Sequence, residues 1–156
     1  MCGIAGLIHA ADRAPVDELL LQRMTRKLHH RGPDDFGVWT GDGAGLGHQR
    51  LSIIDLAGGH QPMAIADGGY WITYNGEIYN YIELRAELEA RGCGFATQCD
   101  TEVLLQMYAE HGEACLGYLN GMFAFAIWDR SRKRLFAARD RLGIKPFYYF
   151  WDGGIF

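Results

Sequence analysis

The chain has 156 residues, enough for one domain with a substantial core. Hydrophobic residues make up 49% and charged residues 22%, a globular balance, and the net charge of −4 leaves no basic footprint for nucleic acid. No apolar run approaches the roughly 20 residues of a membrane span. The opening MCGIAGLIHAADR lacks the charged start of a signal peptide. Cysteines at 2, 93, 99 and 115 form no CxxC pair, and the histidines show no ligand spacing. The expectation is a cytoplasmic protein with free thiols and no metal site.

The first element, GIAGLIH, alternates as a strand. Cys2 stands in front of it and has two readings. It is a small hydrophobe packed in an edge strand, or, once Met1 is removed, an N-terminal residue bearing both a thiol and a free α-amine. APVDELLLQRMTRKLHH then reads as a helix. Pro15 suits its first turn, Leu20, Met24 and Leu28 recur at i+4, and Arg26, Lys27 and His29 favour the negative end of the dipole.

HRGPDDFG is turn chemistry, and FGVWTGDGAGLGHQRLSII holds two strands around a Gly-Asp-Gly turn. Gly41, Gly43, Gly45 and Gly47 alternate by two, unlike the G-x-G-x-x-G of a phosphate cradle. DLAGGHQPM is a loop. GGYWITYNGEIYNY is a strand running into a turn, with Asn75-Gly76 as the turn dipeptide. YIELRAELEARG is a helix with Tyr81, Leu84 and Leu88 on one face and Gly92 as its stop. TEVLLQMYAEHG is another, with Asp100 as N-cap and Gly112 as its end. GMFAFAIWD and RLFAARD are strands joined by the polar turn RSRK, and KPFYYFWDGG reads as a further aromatic strand. Strands and helices come in blocks, which favours a layered α+β fold with two packed sheets covered by helices.

MCGIAGL, HRGPDD, RLSIIDLAGGHQPM, YNGEIYNY, the DTEVLL after Cys99, LNGMFAFAIWD and ARDRLGIKPFYY occur in this order. Together they resemble the glutaminase domain of class II glutamine amidotransferases, most closely the branch of glutamine-hydrolysing asparagine synthetases, from Met1 to about Tyr149. The resemblance implies a four-layer αββα sandwich of two mostly antiparallel sheets, the N-terminal-nucleophile hydrolase fold. It also implies L-glutamine as substrate, with Cys2 as nucleophile. The α-amine of Cys2 would be the general base, since such an amine has a reference pKa near 7.7–8.0.

By the same resemblance, the Asn75 side-chain amide and the Gly76 backbone N–H stabilise the oxyanion. Arg50 takes the substrate α-carboxylate in a guanidinium fork. Asp100 takes the α-ammonium with Glu77 assisting, and backbone groups of Leu51 and Ile53 contribute. Each has a plainer alternative: a helix cap for Asp100, a solvated edge residue for Arg50, a turn acid for Glu77. Arg31, Asp34, Arg139, Asp140 and Lys145, in HRGPDD and RDRLGIKP, are expected in structural networks or at a domain interface. Cys99 stands where the family usually carries serine.

Members of the family continue into an ATP-using synthetase domain. The expectation is therefore a glutaminase domain over 1–156, truncated at its end, with no cofactor of its own; ATP and Mg serve only the synthetase domain. Apolar surface left facing that domain is expected to promote homo-oligomers. Three functions stay open: ammonia supply for asparagine synthesis, ammonia supply to another acceptor, and a non-catalytic interaction module.

Overall fold

The structure, a computed structural model, describes residues 1–52 and 58–156. Gly3–Ile8 (β1), Asp35–Gly41 (β2) and Ala44–Arg50 (β3) form one antiparallel sheet in the order β1-β3-β2. Met63–Ile65 (β4), Tyr70–Ile78 (β5), Gly121–Asp129 (β6) and Arg134–Arg139 (β7) form a second in chain order, also antiparallel. Helix Glu18–Arg26 (α1) covers the first sheet, while Asp100–His111 (α3), with Tyr81–Ala90 (α2) packed beside it, covers the second. β1 and β3 meet β5 face to face, so the layers run helix, sheet, sheet, helix, as expected.

The glycines of β3 explain how α1 docks. A Cβ at Gly47 would lie 2.0 Å from the Thr25 hydroxyl, and one at Gly45 would lie 2.9 Å from Leu21. The helix begins after Asp17, whose carboxylate accepts the N–H groups of Leu19 and Leu20 at 2.9 and 3.1 Å. Its buried face is Leu21 and Thr25, not the expected stripe of Leu20 and Met24, which stay 38% and 36% exposed. The Gly45 and Gly47 gaps admit the stripe one residue further on.

β6 is buried on both faces. Phe123, Phe125 and Ile127 join the core under α2 and α3, while Ala126 and Trp128 face the other sheet. That inter-sheet layer also holds Trp39 stacked on Trp71, ring centroids 4.7 Å apart.

Four sequence expectations need correction. Asn75-Gly76 is no turn: it lies inside β5, paired with Ala124 and Phe123, because the β6 ladder overrides the local preference of the dipeptide. Asp100 does not cap α3; Cys99 holds the N-cap position, and the Asp100 side chain leaves the helix to bond β5. Met63, read as the end of the DLAGGHQPM loop, instead begins the short strand Met63–Ile65 on β5. KPFYYFWDGG forms no strand: among the described residues no ladder pairs with it, and an isolated bridge of Ile155 to His9 follows.

Candidate active site

The chain's first residues, the end of β3, the middle of β5, the start of α3 and Lys145 surround one cleft. Cys2 is half-buried and its thiol is free. The Leu51 N–H donates to its sulfur at 3.4 Å, and the sulfur lies 3.6 Å from the Leu51 carbonyl. Arg31 Nε donates to the Cys2 carbonyl at 3.0 Å, fixing the same residue from the other side. Asp34 anchors the segment that carries Leu51: its backbone N–H donates to Arg50 O at 3.0 Å, and its carboxylate accepts the Ser52 N–H at 2.8 Å. HRGPDD is thus structural, as expected, but its structure is that of the site.

Strand β5 supplies the opposite wall. Its odd-numbered residues bond to β6, and Tyr79 N continues that series to Asn120 O at 2.7 Å. The even-numbered N–H groups face the other edge, where Tyr74 N donates to Gln61 Oε1 at 2.7 Å and Ile78 N to Asp100 Oδ2 at 3.0 Å. Gly76 lies between them, so its N–H points into the cleft with no protein acceptor among the described residues. Its missing side chain is required by crowding, since a Cβ would stand 2.4 Å from Met122 O. The buried Asn75 also lines the cleft.

Arg50 is buried at the end of β3, with Gly59 packed on its guanidinium. A Cβ at Gly59 would lie 2.2 Å from an Arg50 nitrogen, so only glycine allows this approach. Asp100 accepts the Tyr74 hydroxyl at 2.8 Å besides the Ile78 N–H. Burial raises its carboxyl above the ordinary value, and these bonds oppose the rise without cancelling it. Burial, with the Asp100 charge beside it, pushes the Tyr74 phenol well above its usual value. Glu77 is half-buried on the same wall.

The structure therefore gathers Cys2, Arg50, Leu51, Asn75, Gly76, Glu77 and Asp100 in one cleft; Ile53 lies outside the described residues. Among the described residues, no group of three or more His, Cys, Asp or Glu side chains could hold a metal ion. No helix there is long and apolar enough to cross a membrane. With Met1 in place the cleft encloses about 70 Å³. Behind Cys2 and Asn75 lies a second, apolar cavity of about 690 Å³ between the sheets and the C-terminal aromatic segment.

Sequence reasoning missed Gln61, Tyr74, Thr101 and Gly59. Gln61 is buried and bridges Tyr74 N to the Thr101 hydroxyl, 3.3 Å from its Nε2, so it ties β5 to α3. A polar residue beside a proline gave no sign of this.

A family model described as a glutamine amidotransferase domain matches residues 1–156. The chain is 50% identical to asparagine synthetase [glutamine-hydrolyzing] 3 of Bacillus subtilis, covering 100% of this chain and 26% of that protein. It is 41% identical to the putative asparagine synthetase [glutamine-hydrolyzing] 2 of Methanocaldococcus jannaschii, covering 100% of this chain and 33% of the relative. The chain thus spans a quarter to a third of these relatives' length. Among solved structures, the glutamine phosphoribosylpyrophosphate amidotransferase of B. subtilis complexed with ADP and GMP superposes with a TM-score of 0.77. That match covers 99% of this chain and 40% of the other at 18% identity, a likeness of fold.

Proposed function

The chain belongs to the glutamine amidotransferase domain family, and on that premise we propose that it hydrolyses L-glutamine to glutamate and ammonia with Cys2 as nucleophile. The observation that carries the reading is the Cys2 sulfur held by the Leu51 backbone in the cleft that Asn75, Gly76, Arg50 and Asp100 also line.

Removal of Met1 frees the α-amine of Cys2. That amine takes the thiol proton, and sulfur attacks the side-chain carbonyl carbon of glutamine. Charge collects on the carbonyl oxygen, where the Gly76 N–H and the Asn75 amide are fixed donors of the kind worth about 2.7–4 kcal/mol each. The amine returns its proton to the leaving nitrogen, the C–N bond breaks, and ammonia departs. Water, deprotonated by the same amine, then attacks the thioester; the C–S bond breaks, glutamate leaves, and the amine returns its proton to the Cys2 sulfur. Arg50 holds the substrate α-carboxylate and Asp100 the α-ammonium, with Glu77 and the Leu51 backbone assisting. In this reading the domain needs no cofactor.

The fuller reading is that the ammonia serves a synthetase domain that makes asparagine. The names of the relatives, and the quarter to third of their length that this chain spans, support it.

Intact mass before and after a diazo-ketone glutamine analogue tests the proposal. The expected result is loss of Met1 and one adduct on Cys2, blocked by glutamine and absent in Cys2→Ala. A processed chain that neither takes the adduct nor releases ammonia from glutamine would sink the reading.

A further inference from the structure

Lys145 is 6% exposed, yet it makes no ion pair within 4 Å among the described residues. Lysines are seldom this buried without a partner. Its Nζ lies in the Cys2 cleft, 3.5 Å from Met1 Sδ, a weak acceptor on the residue that processing removes. Met1 directly precedes Cys2, so the Lys145 side chain touches the residue whose removal creates the α-amine of Cys2, in the cleft that both Lys145 and Cys2 line.

Lys145 is also held firmly. Asp140 accepts the N–H groups of Lys145 at 3.0 Å, Ile144 at 2.9 Å and Phe123 at 3.2 Å. Phe123 is the partner of Gly76 in the β5–β6 register. Burial alone would raise the Asp140 carboxyl, but these backbone donors outweigh it and hold it below the ordinary value. The carboxylate is thus committed to the backbone, fastening the 140–145 loop to the strand pair that carries Gly76, and it makes no ion pair with Lys145.

Resting on the glutaminase reading above, we infer that Lys145 is a positioning residue acting through Cys2. Its fixed positive charge disfavours protonation of the Cys2 α-amine and favours the thiolate, so the N-terminus is in its working form near neutral pH. Other charged or titratable groups line or border the same cleft from each packed element. Arg31 binds the Cys2 carbonyl, and Arg50 comes from β3. Tyr74 and Glu77 come from β5, and Cys99 and Asp100 from the start of α3. Glu77 and Asp100 pull the amine toward its protonated form, and Lys145 opposes them.

The test is the pH profile of glutaminase kcat/KM for the Met1-processed chain, beside Lys145→Met and Lys145→Arg. Iodoacetamide alkylation of Cys2 is followed across the same pH range without glutamine. Lys145→Met should move the acid limb up by about one pH unit, with activity recovering at alkaline pH and KM little changed. The alkylation profile should shift with it, and Lys145→Arg should restore both. An unmoved acid limb, or activity lost at every pH with an unmoved alkylation profile, would overturn the inference and leave Lys145 a packing residue. A processed wild-type chain with no glutaminase at any pH would defeat the glutaminase reading itself, which separates the two failures.

Discussion

The Tyr74 hydroxyl donates to the Asp100 carboxylate at 2.8 Å, tying β5 to the first turn of α3 inside the cleft. The same oxygen accepts the Ile78 N–H at 3.0 Å. Burying the Asp100 carboxylate here carries a cost in stability. Its carboxyl is raised by burial, so its contribution to stability is full below the unfolded value near 3.9 and is lost as pH rises through the folded value. Asp100→Asn keeps an oxygen for both donors and removes the buried charge. Thermal melts should find the variant at least as stable as wild type at pH 7, with that advantage fading toward pH 4. Its KM for glutamine should rise roughly 10- to 100-fold, the worth of a charged hydrogen bond of about 1.5–3 kcal/mol.

His48 ties β3 to β5 across the two sheets. Its Nε2–H donates to Tyr74 O at 3.0 Å, since the carbonyl can only accept, and its Nδ1 is buried without a partner. Burial lowers its pKa from 6.5 to about 4, so the folded ring stays neutral where the unfolded one charges. A depressed histidine lends stability that is complete above 6.5 and lost as pH falls toward 4. Wild type should lose up to about 3 kcal/mol over that window from this group. Denaturant melts of His48→Gln should be flatter between pH 7 and 4.5. Parallel curves for the two proteins would refute the assignment.

Cys2, Asn75, Gly76 and Asp100 were singled out through the motifs that carry the family resemblance, and the structure places them in one cleft, whereas the local readings of Asn75-Gly76 as a turn and Asp100 as a helix cap did not hold. Their surroundings were not legible, because they come from contacts distant in sequence. Gln61 reaches Tyr74, Arg31 reaches Cys2, and Lys145 reaches Met1. The α1 stripe was misread because a 3.6-residue period admits neighbouring faces, and Thr25, polar by type, is buried by donating its hydroxyl to Leu21 O at 2.8 Å. Asn75-Gly76 favours a turn when alone and a strand once β6 pairs with it.

The fit of Thr25 against Gly47 yields a coupling experiment. Gly47→Ala forces a Cβ against the Thr25 hydroxyl, which stands 2.0 Å from the position that atom would take. Overpacking of this kind typically costs about 1–3 kcal/mol. Removing the hydroxyl in the double variant Gly47→Ala, Thr25→Ala should recover part of that loss. A double-mutant cycle showing plain additivity would mean that α1 simply shifts away.

Asn75 and Gly76 differ in what their loss should do. Asn75→Ala removes a side-chain donor and should lower glutaminase kcat about 10²- to 10³-fold with KM little changed. Gly76→Ala instead drives a methyl toward Met122 O, 2.4 Å from the new carbon, and should lower the melting temperature as well. A large KM effect in Asn75→Ala with kcat preserved would move Asn75 from charge stabilisation to substrate binding.

The aromatic segment after Lys145 leaves large rings open to solvent. Tyr148, Tyr149 and Phe150 are 92%, 73% and 71% exposed, and Leu142 before them is 85% exposed. Tyr149 has a local role, stacking on Phe156 at 5.6 Å, whereas Tyr148 and Phe150 have no ring partner among the described residues. An apolar stretch left this open promotes association in water. Sedimentation velocity should therefore show a mass that grows with concentration. Tyr148→Ser with Phe150→Ser should reduce that growth while leaving the melting temperature within about 0.5 kcal/mol equivalent of wild type, as surface changes generally do. Concentration-independent monomer in wild type would show that these rings do not drive association. Unchanged association in the double variant would move the contact elsewhere, first to Leu142 and Ile144, whose side chains are also exposed.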